Sequence, residues 1–179
     1  SEIKLQTFVG EGMLSLSKRV VDFCGGDKQL YDLFYEDYRQ NYSEEPYKYS
    51  TLMSGVKETL DFFYRNSVPM GICTNKRQFV TEKLINQMNL KKFFNVVVGA
   101  SDSIPLKPQP DMLHLAMKQF NTTKTSFLMV GDTINDVASA KAAHIECVAI
   151  AGGYTDVDVK TLKADYTLDN MRDIITLFK

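Results

Sequence analysis

Residues 127–136 read Phe127-Leu128-Met129-Val130-Gly131-Asp132-Thr133-Ile134-Asn135-Asp136. Four unbroken apolar residues, then a glycine and a carboxylate, then a second carboxylate where a helical pattern starts, predict a strand buried on both faces that hands over to a helix. Continuous apolar strands of this kind belong to parallel sheets, because only helices on both sides can bury both faces.

The same hand-over recurs on either side. The helical pattern Val56 to Asn66 precedes an apolar run from Val68 to Cys73, and Phe79 to Met88 precedes Asn95 to Val98. Met112 to Phe120 leads into Phe127 to Val130, and Val137 to Ala143 into Ile145 to Ala151. A short strand, Ala164 to Thr167, and a helix, Met171 to Phe178, follow. Strict alternation predicts an α/β fold, a Rossmann-like parallel sheet with helices on both faces, over residues 51–179. Residues 1–50 read differently. Met13, Leu14, Leu16, Val20 and Val21, and then Leu30, Leu33, Phe34 and Tyr38, recur at helical spacing, with a break at Gly25 and Gly26 and a stop at Pro46. This is a helical hairpin whose many tyrosines, Tyr31, Tyr35, Tyr38, Tyr42, Tyr47 and Tyr49, read as the covering face of an amphipathic helix.

Composition narrows the function. With 21 Lys+Arg against 22 Asp+Glu the net charge is −1, and no basic stripe offers a footprint for a nucleic acid or an anionic membrane. No run approaches the ~18 apolar residues of a membrane span, and Ser1 to Gly10 lacks the regions of a signal peptide. Three cysteines, Cys24, Cys73 and Cys147, without CxxC spacing suit a reducing compartment. The expectation is a cytoplasmic protein with a small-molecule partner, as a monomer or homodimer.

In parallel sheets ligands bind beyond the carboxyl ends of the strands, where loops and helix N-termini converge. After the first predicted strand stand Thr74, Asn75 and Lys76; a hydroxyl and an amide there can grip an anion or cap a helix. After the second, Lys107 is flanked by Pro105, Pro108 and Pro110, which hold its backbone on a constrained loop. After the third, Asp132 and Asp136 are four apart, one at the strand end and one in the first helical turn, and can address one volume. Magnesium takes a few carboxylate oxygens together with water and phosphate oxygens, so this pair suits it. Gly152-Gly153-Tyr154 follows the fourth strand as a flexible turn. A hydroxyl, a lysine and a carboxylate pair, in that order, are an inventory for holding a phosphate.

In this order the motifs resemble the haloacid dehalogenase-like hydrolases, specifically their phosphoglycolate-phosphatase-like branch. Thr74-Asn75 looks like the family's second motif, Lys107 in Leu-Lys-Pro-Gln-Pro-Asp its third, and Gly131 to Asp136 its fourth, while residues 1–50 resemble part of a helical cap entered through Phe8 to Gly12. The resemblance implies a phosphoric monoester hydrolase that forms an aspartyl-phosphate on one aspartate, with a second aspartate two residues later as general acid and base. It implies that Thr74 binds the phosphoryl oxygens, with Asn75 beside it, and that Lys107 balances their charge and holds the nucleophile. It further implies that Asp132 binds Mg²⁺ directly and that Asp136 assists or orients a bound water. The implied substrate is a small phosphorylated metabolite such as phosphoglycolate, with β-phosphoglucomutase-like, nucleotidase or pyrophosphatase chemistry as alternatives within the fold.

One motif is absent. The family's Asp-x-Asp at the end of a central first strand has no counterpart, since Asp156-Val157-Asp158 follows the fourth strand and has no strand before it. The expectation is therefore that the nucleophile and general acid lie outside this chain, in a preceding segment of ~40–50 residues carrying the central strand and a cap helix. The chain alone is then expected to be inactive, and a truncated or non-catalytic binding module is the alternative. His144 stands where the family usually has glycine, and histidine tolerates the left-handed turn better than most residues.

Overall fold

A computed structural model describes residues 7–121, 127–153 and 157–178. The Asp156 of the Asp-x-Asp run and Tyr154 of the predicted glycine turn lie outside them.

The chain opens with two helices, α1 (Met13–Phe23) and α2 (Leu30–Glu44). Gly12 precedes α1 at φ 88 and Gly25 follows it at φ 71, both in the left-handed region that favours glycine. On α2, Tyr35, Tyr38 and Tyr42 fall at i, i+3 and i+7 and so share one face. Next come α3 (Val56–Arg65), β1 (Gly71–Arg77), α4 (Gln78–Gln87), β2 (Val96–Ala100) and α5 (Asp111–Phe120). After these lie β3 (Leu128–Gly131), α6 (Ile134–Ala142), β4 (Glu146–Ile150) and β5 (Tyr166–Leu168), and a 3-10 helix (Met171–Phe178) closes the described chain. No helix among the described residues is long and apolar enough to cross a membrane.

All strand pairs are parallel, as the alternation requires, but they form two ladders. β1 pairs with β2, and β3 pairs with β4, which pairs with β5; no ladder joins β1 to β3 among the described residues. β4 shows why the strands read as continuous apolar runs. Cys147 and Ala149 enter a core with Leu113, Val137 and Ala140, whereas Val148 and Ile150 enter another with Phe63 and Ile174. All four β4 residues are essentially inaccessible. A third cluster, Val96, Val98, Met112 and Ala116, packs α5 on the first ladder. Cys73 and Phe127 touch both the α5 cluster and the core under β4, so apolar side chains span the break.

The first strand departs from the sequence reading. It runs Gly71–Arg77 rather than Val68 to Cys73. Ser67 turns left-handed at φ 57 and the Val68 N–H donates back to the Phe63 carbonyl, so Val68 still belongs to the end of α3. At the other end, pairing runs from Gly71↔Val96 to Thr74↔Gly99, slips, and resumes at Arg77↔Ala100. This bulge carries polar residues into the strand, which side-chain pattern alone does not reveal. The helix starts at Gln78, so Thr74 and Asn75 do not cap it.

Candidate active site

The carboxyl ends of β1 and β3 and the loop before α1 enclose a cleft of about 480 Å³. Thr74, Lys107, Asp132 and Asp136 all line it, so residues up to 62 positions apart in sequence are brought together.

Lys107 sits at the break between the ladders. Its side chain is 8% exposed, and its ammonium donates to the Cys73 carbonyl of β1 at 2.7 Å and to Asp136 Oδ1 of α6 at 2.5 Å. An ammonium has three N–H groups. Two are used among the described residues, which leaves one for a ligand in the cleft. The backbone of Lys107 is fixed by Asn75. The Lys107 N–H donates to Asn75 Oδ1, and Asn75 Nδ2 donates to the Lys107 carbonyl, each at 2.9 Å, so the amide pairs with the lysine as a neighbouring strand would. Asn75 Nδ2 spends its other hydrogen on the Gly10 carbonyl, also at 2.9 Å. With both donors committed, Asn75 positions Lys107 and the Gly10 loop.

Asp136 is held just as closely. Its carboxylate is 7% exposed. Beyond the lysine on Oδ1, Oδ2 accepts from the Asp132 N–H (3.2 Å), the Thr133 N–H (3.0 Å) and Thr133 Oγ1 (2.7 Å). Thr133 and Asp136 thereby form a reciprocal capping box at the start of α6. Both oxygens accept from protein donors, so Asp136 holds the Lys107 ammonium and the 132–133 backbone. Gly131 lets this happen, because a Cβ there would overlap the Asp136 side chain.

Asp132 differs. It follows β3 directly, lines the cleft, and lies against Gly153, where a Cβ would coincide with its carboxylate. The predicted glycine turn after the fourth strand thus makes room for Asp132. Thr74 lies within β1, and its Oγ1 accepts from the Lys76 N–H at 3.2 Å. Cys73, beneath the lysine, has its thiol pushed up to about 11 by burial, against a smaller opposing pull from the Lys107 charge.

Sequence reasoning misses three contributors. Gly10 accepts from Asn75 and from Asn135 Nδ2 (3.2 Å), so one carbonyl ties both ladders to the loop before α1. Tyr38 and Tyr42 face the cleft together with Lys76, whereas the pattern reads these tyrosines only as helix covering. Their shared spacing with Tyr35 is the available signal.

The sequence matches the haloacid dehalogenase-like hydrolase family over residues 13–150. The chain belongs to that family. Among relatives of this hydrolase, the phosphoglycolate phosphatase of Chromobacterium violaceum is 32% identical over 98% of this chain and 80% of that protein. The phosphoglycolate phosphatase of Pseudomonas savastanoi pv. phaseolicola is 31% identical over 84% of this chain and 56% of that protein. The chain therefore spans between about half and four fifths of the relatives it matches. The crystal structure of a predicted phosphoglycolate phosphatase from Haemophilus somnus superposes with a TM-score of 0.92 at 24% identity, covering 100% of this chain and 83% of that one. A β-phosphoglucomutase from Clostridium difficile shares the fold more distantly, with a TM-score of 0.75 at 14% identity over 94% of this chain and 75% of that one. The haloacid dehalogenase-like core is thus established for this hydrolase by sequence and by shape, and its relatives place it in the phosphoglycolate-phosphatase-like branch.

Proposed function

We propose that this hydrolase is a Mg²⁺-dependent phosphatase of a small phosphorylated metabolite, with the attacking aspartate contributed by a strand seated between β1 and β3. The observation that carries the reading is the Lys107 ammonium, fixed across the break between the ladders with one N–H left for a ligand. A strand placed there would bring its carboxyl end beside Lys107, Thr74 and Asp132.

In this reading Lys107 balances the charge of the transferring phosphoryl group and holds the attacking carboxylate, while Asp136 and Asn75 keep the lysine in place. Thr74 donates its hydroxyl to a phosphoryl oxygen. The carboxylate oxygen attacks phosphorus, the ester oxygen departs with a proton from the general acid, and water then cleaves the aspartyl-phosphate. Magnesium fits the donors present, since it is often held by one or two carboxylates plus substrate phosphate and water, and Asp132 supplies one such carboxylate at the cleft. When bound, the ion would neutralise charge on the phosphate oxygens. The two aspartates of the missing motif come with the added strand, so residues 1–179 alone are proposed to be inactive. The setting is the cytoplasm, as a monomer or homodimer. Phosphoglycolate is the first substrate to test, since the relatives bear that name.

The test is hydrolysis of p-nitrophenyl phosphate with Mg²⁺ by residues 1–179 and by the longer parent protein. The expected result is turnover only by the longer protein, abolished by Lys107→Ala and with its Mg²⁺ dependence lost in Asp132→Asn. Turnover undiminished in Lys107→Ala would overturn the reading, and unchanged Mg²⁺ dependence in Asp132→Asn would remove the metal assignment.

A further inference from the structure

α2 packs against α1, yet none of its side chains is buried among the described residues. Two of them still form a wall of the cleft: Tyr38 and Tyr42, stacked with ring centroids 5.6 Å apart. A helix without a buried apolar face gains little from packing, so polar contacts have to seat it. Three basic side chains from β1 and α4 reach it. The Lys76 ammonium donates to the Tyr42 hydroxyl, and Arg77 Nη2 donates to the Tyr35 hydroxyl at 3.2 Å. Lys83 Nζ donates to the carbonyls of Ser43 at 2.9 Å and Glu44 at 2.5 Å.

The Lys83 contact has a clear physical reason. The last four carbonyls of a helix lack intrahelical partners and carry the negative end of its dipole. The last turn of α2 contains no basic residue of its own, and Lys83 supplies that charge from α4. Ser43 and Glu44 directly follow Tyr42, so the ammonium fixes the end of the helix that carries Tyr42 into the cleft wall. Arg77 is a second fixed point. Its other terminal nitrogen donates to Asp102 beyond β2, so Tyr35 is held from the body of the first ladder. Neither Lys83 nor Arg77 lines the cleft. We propose that Lys83 and Arg77 are positioning residues that pin α2 against α4 and so keep Tyr38 and Tyr42 in the cleft wall while substrate binds. The proposal rests on the phosphatase reading and adds to it residues that act from outside the cleft.

The test reads amide exchange of α2 and p-nitrophenyl phosphate kinetics side by side in the longer parent protein. Lys83→Met keeps the stem and removes the charge; α2 amides are expected to exchange about tenfold faster, with β4 amides and the thermal midpoint unchanged. Binding then selects a docked helix that is less populated, so KM rises severalfold while kcat stays within about twofold. Tyr35→Phe removes the α2 end of the Arg77 contact and leaves the Arg77–Asp102 pair, so it should shift both readouts in the same direction by less. Lys83→Arg should keep wild-type behaviour, since the guanidinium also donates to carbonyls. Exchange and KM both unchanged in Lys83→Met combined with Tyr35→Phe overturns the proposal, as does faster α2 exchange with KM unchanged. Acceleration that spreads to β4 with a fall in the midpoint also overturns it, because it marks a contact that serves stability alone. A wild type without turnover overturns the phosphatase reading instead, and α2 exchange by itself then decides whether the pin exists.

Discussion

Replacing Asp136 by asparagine changes one atom's chemistry and almost no volume, yet the structure predicts a large loss of stability. The carboxylate faces donors on both sides, with the Lys107 ammonium on Oδ1 and three donors from residues 132 and 133 on Oδ2. An amide has one acceptor oxygen, so the substituted side chain could satisfy only one side and would press its NH2 against donors on the other. It would also leave a lysine that is 8% exposed without its counter-charge. Removing one partner of a buried pair costs about 3–5 kcal/mol, and loss of a capping interaction adds to that. Lys107→Met is the contrasting change. Met retains the stem, and the Asp136 carboxylate, though it loses its counter-charge, keeps three protein donors, so the loss is smaller, about 1–3 kcal/mol. Urea unfolding of residues 1–179 should therefore show Asp136→Asn less stable than Lys107→Met by about 2 kcal/mol at unchanged m-value. Equal losses, or Lys107→Met the more damaging, would refute the assignment of Asp136 as the fully occupied partner.

Other outcomes follow from the same geometry. Burial raises the thiols of Cys73 to about 11 and Cys147 to about 12 from an ordinary 9.0, while Cys24 is exposed, so a thiol reagent at pH 8 should label Cys24 alone until denaturant is added. Because the folded state holds these protons more tightly, stability is fully present below pH 9 and falls as pH rises through about 11 to 12; Cys147→Ser should make the fall in urea midpoint shallower. Gly153→Ala should displace Asp132, weakening Mg²⁺ activation of the longer protein more than it lowers the thermal midpoint. Gly99→Ala should destabilise by about 1–3 kcal/mol, since a Cβ would meet the Gln78 backbone at 2.6 Å, which urea unfolding would detect.

The parallel core and the cluster at its carboxyl ends are legible in the sequence because both follow from local rules. A strand buried on both faces must be apolar throughout, and a ligand must sit where strands hand over to helices. Long-range pairing is not legible. Nothing around Asp136 announces that a lysine 29 residues earlier will claim its Oδ1, nor around Asn75 that its amide will brace that lysine's backbone. The bounds of the first strand escape for a related reason, as Thr74 to Arg77 are held by the β2 backbone and not by an apolar face. Lys76 and Tyr42 are hidden by distance, 34 residues separating a surface-like cation from a covering-like phenol.

The break between the ladders has a dynamic consequence. Each ladder carries its own backbone hydrogen bonds, α5 packs on both, and the polar contacts across the break among the described residues include those of the Lys107 ammonium and the Gly10 carbonyl. Cooperative units in native proteins follow such seams. Amide exchange of residues 1–179 should accordingly resolve β1–β2 and β3–β4–β5 as two groups with separate opening free energies. Whatever seats in the seam would merge them into one, so occupancy of the cleft would be readable in the protection of amides far from it.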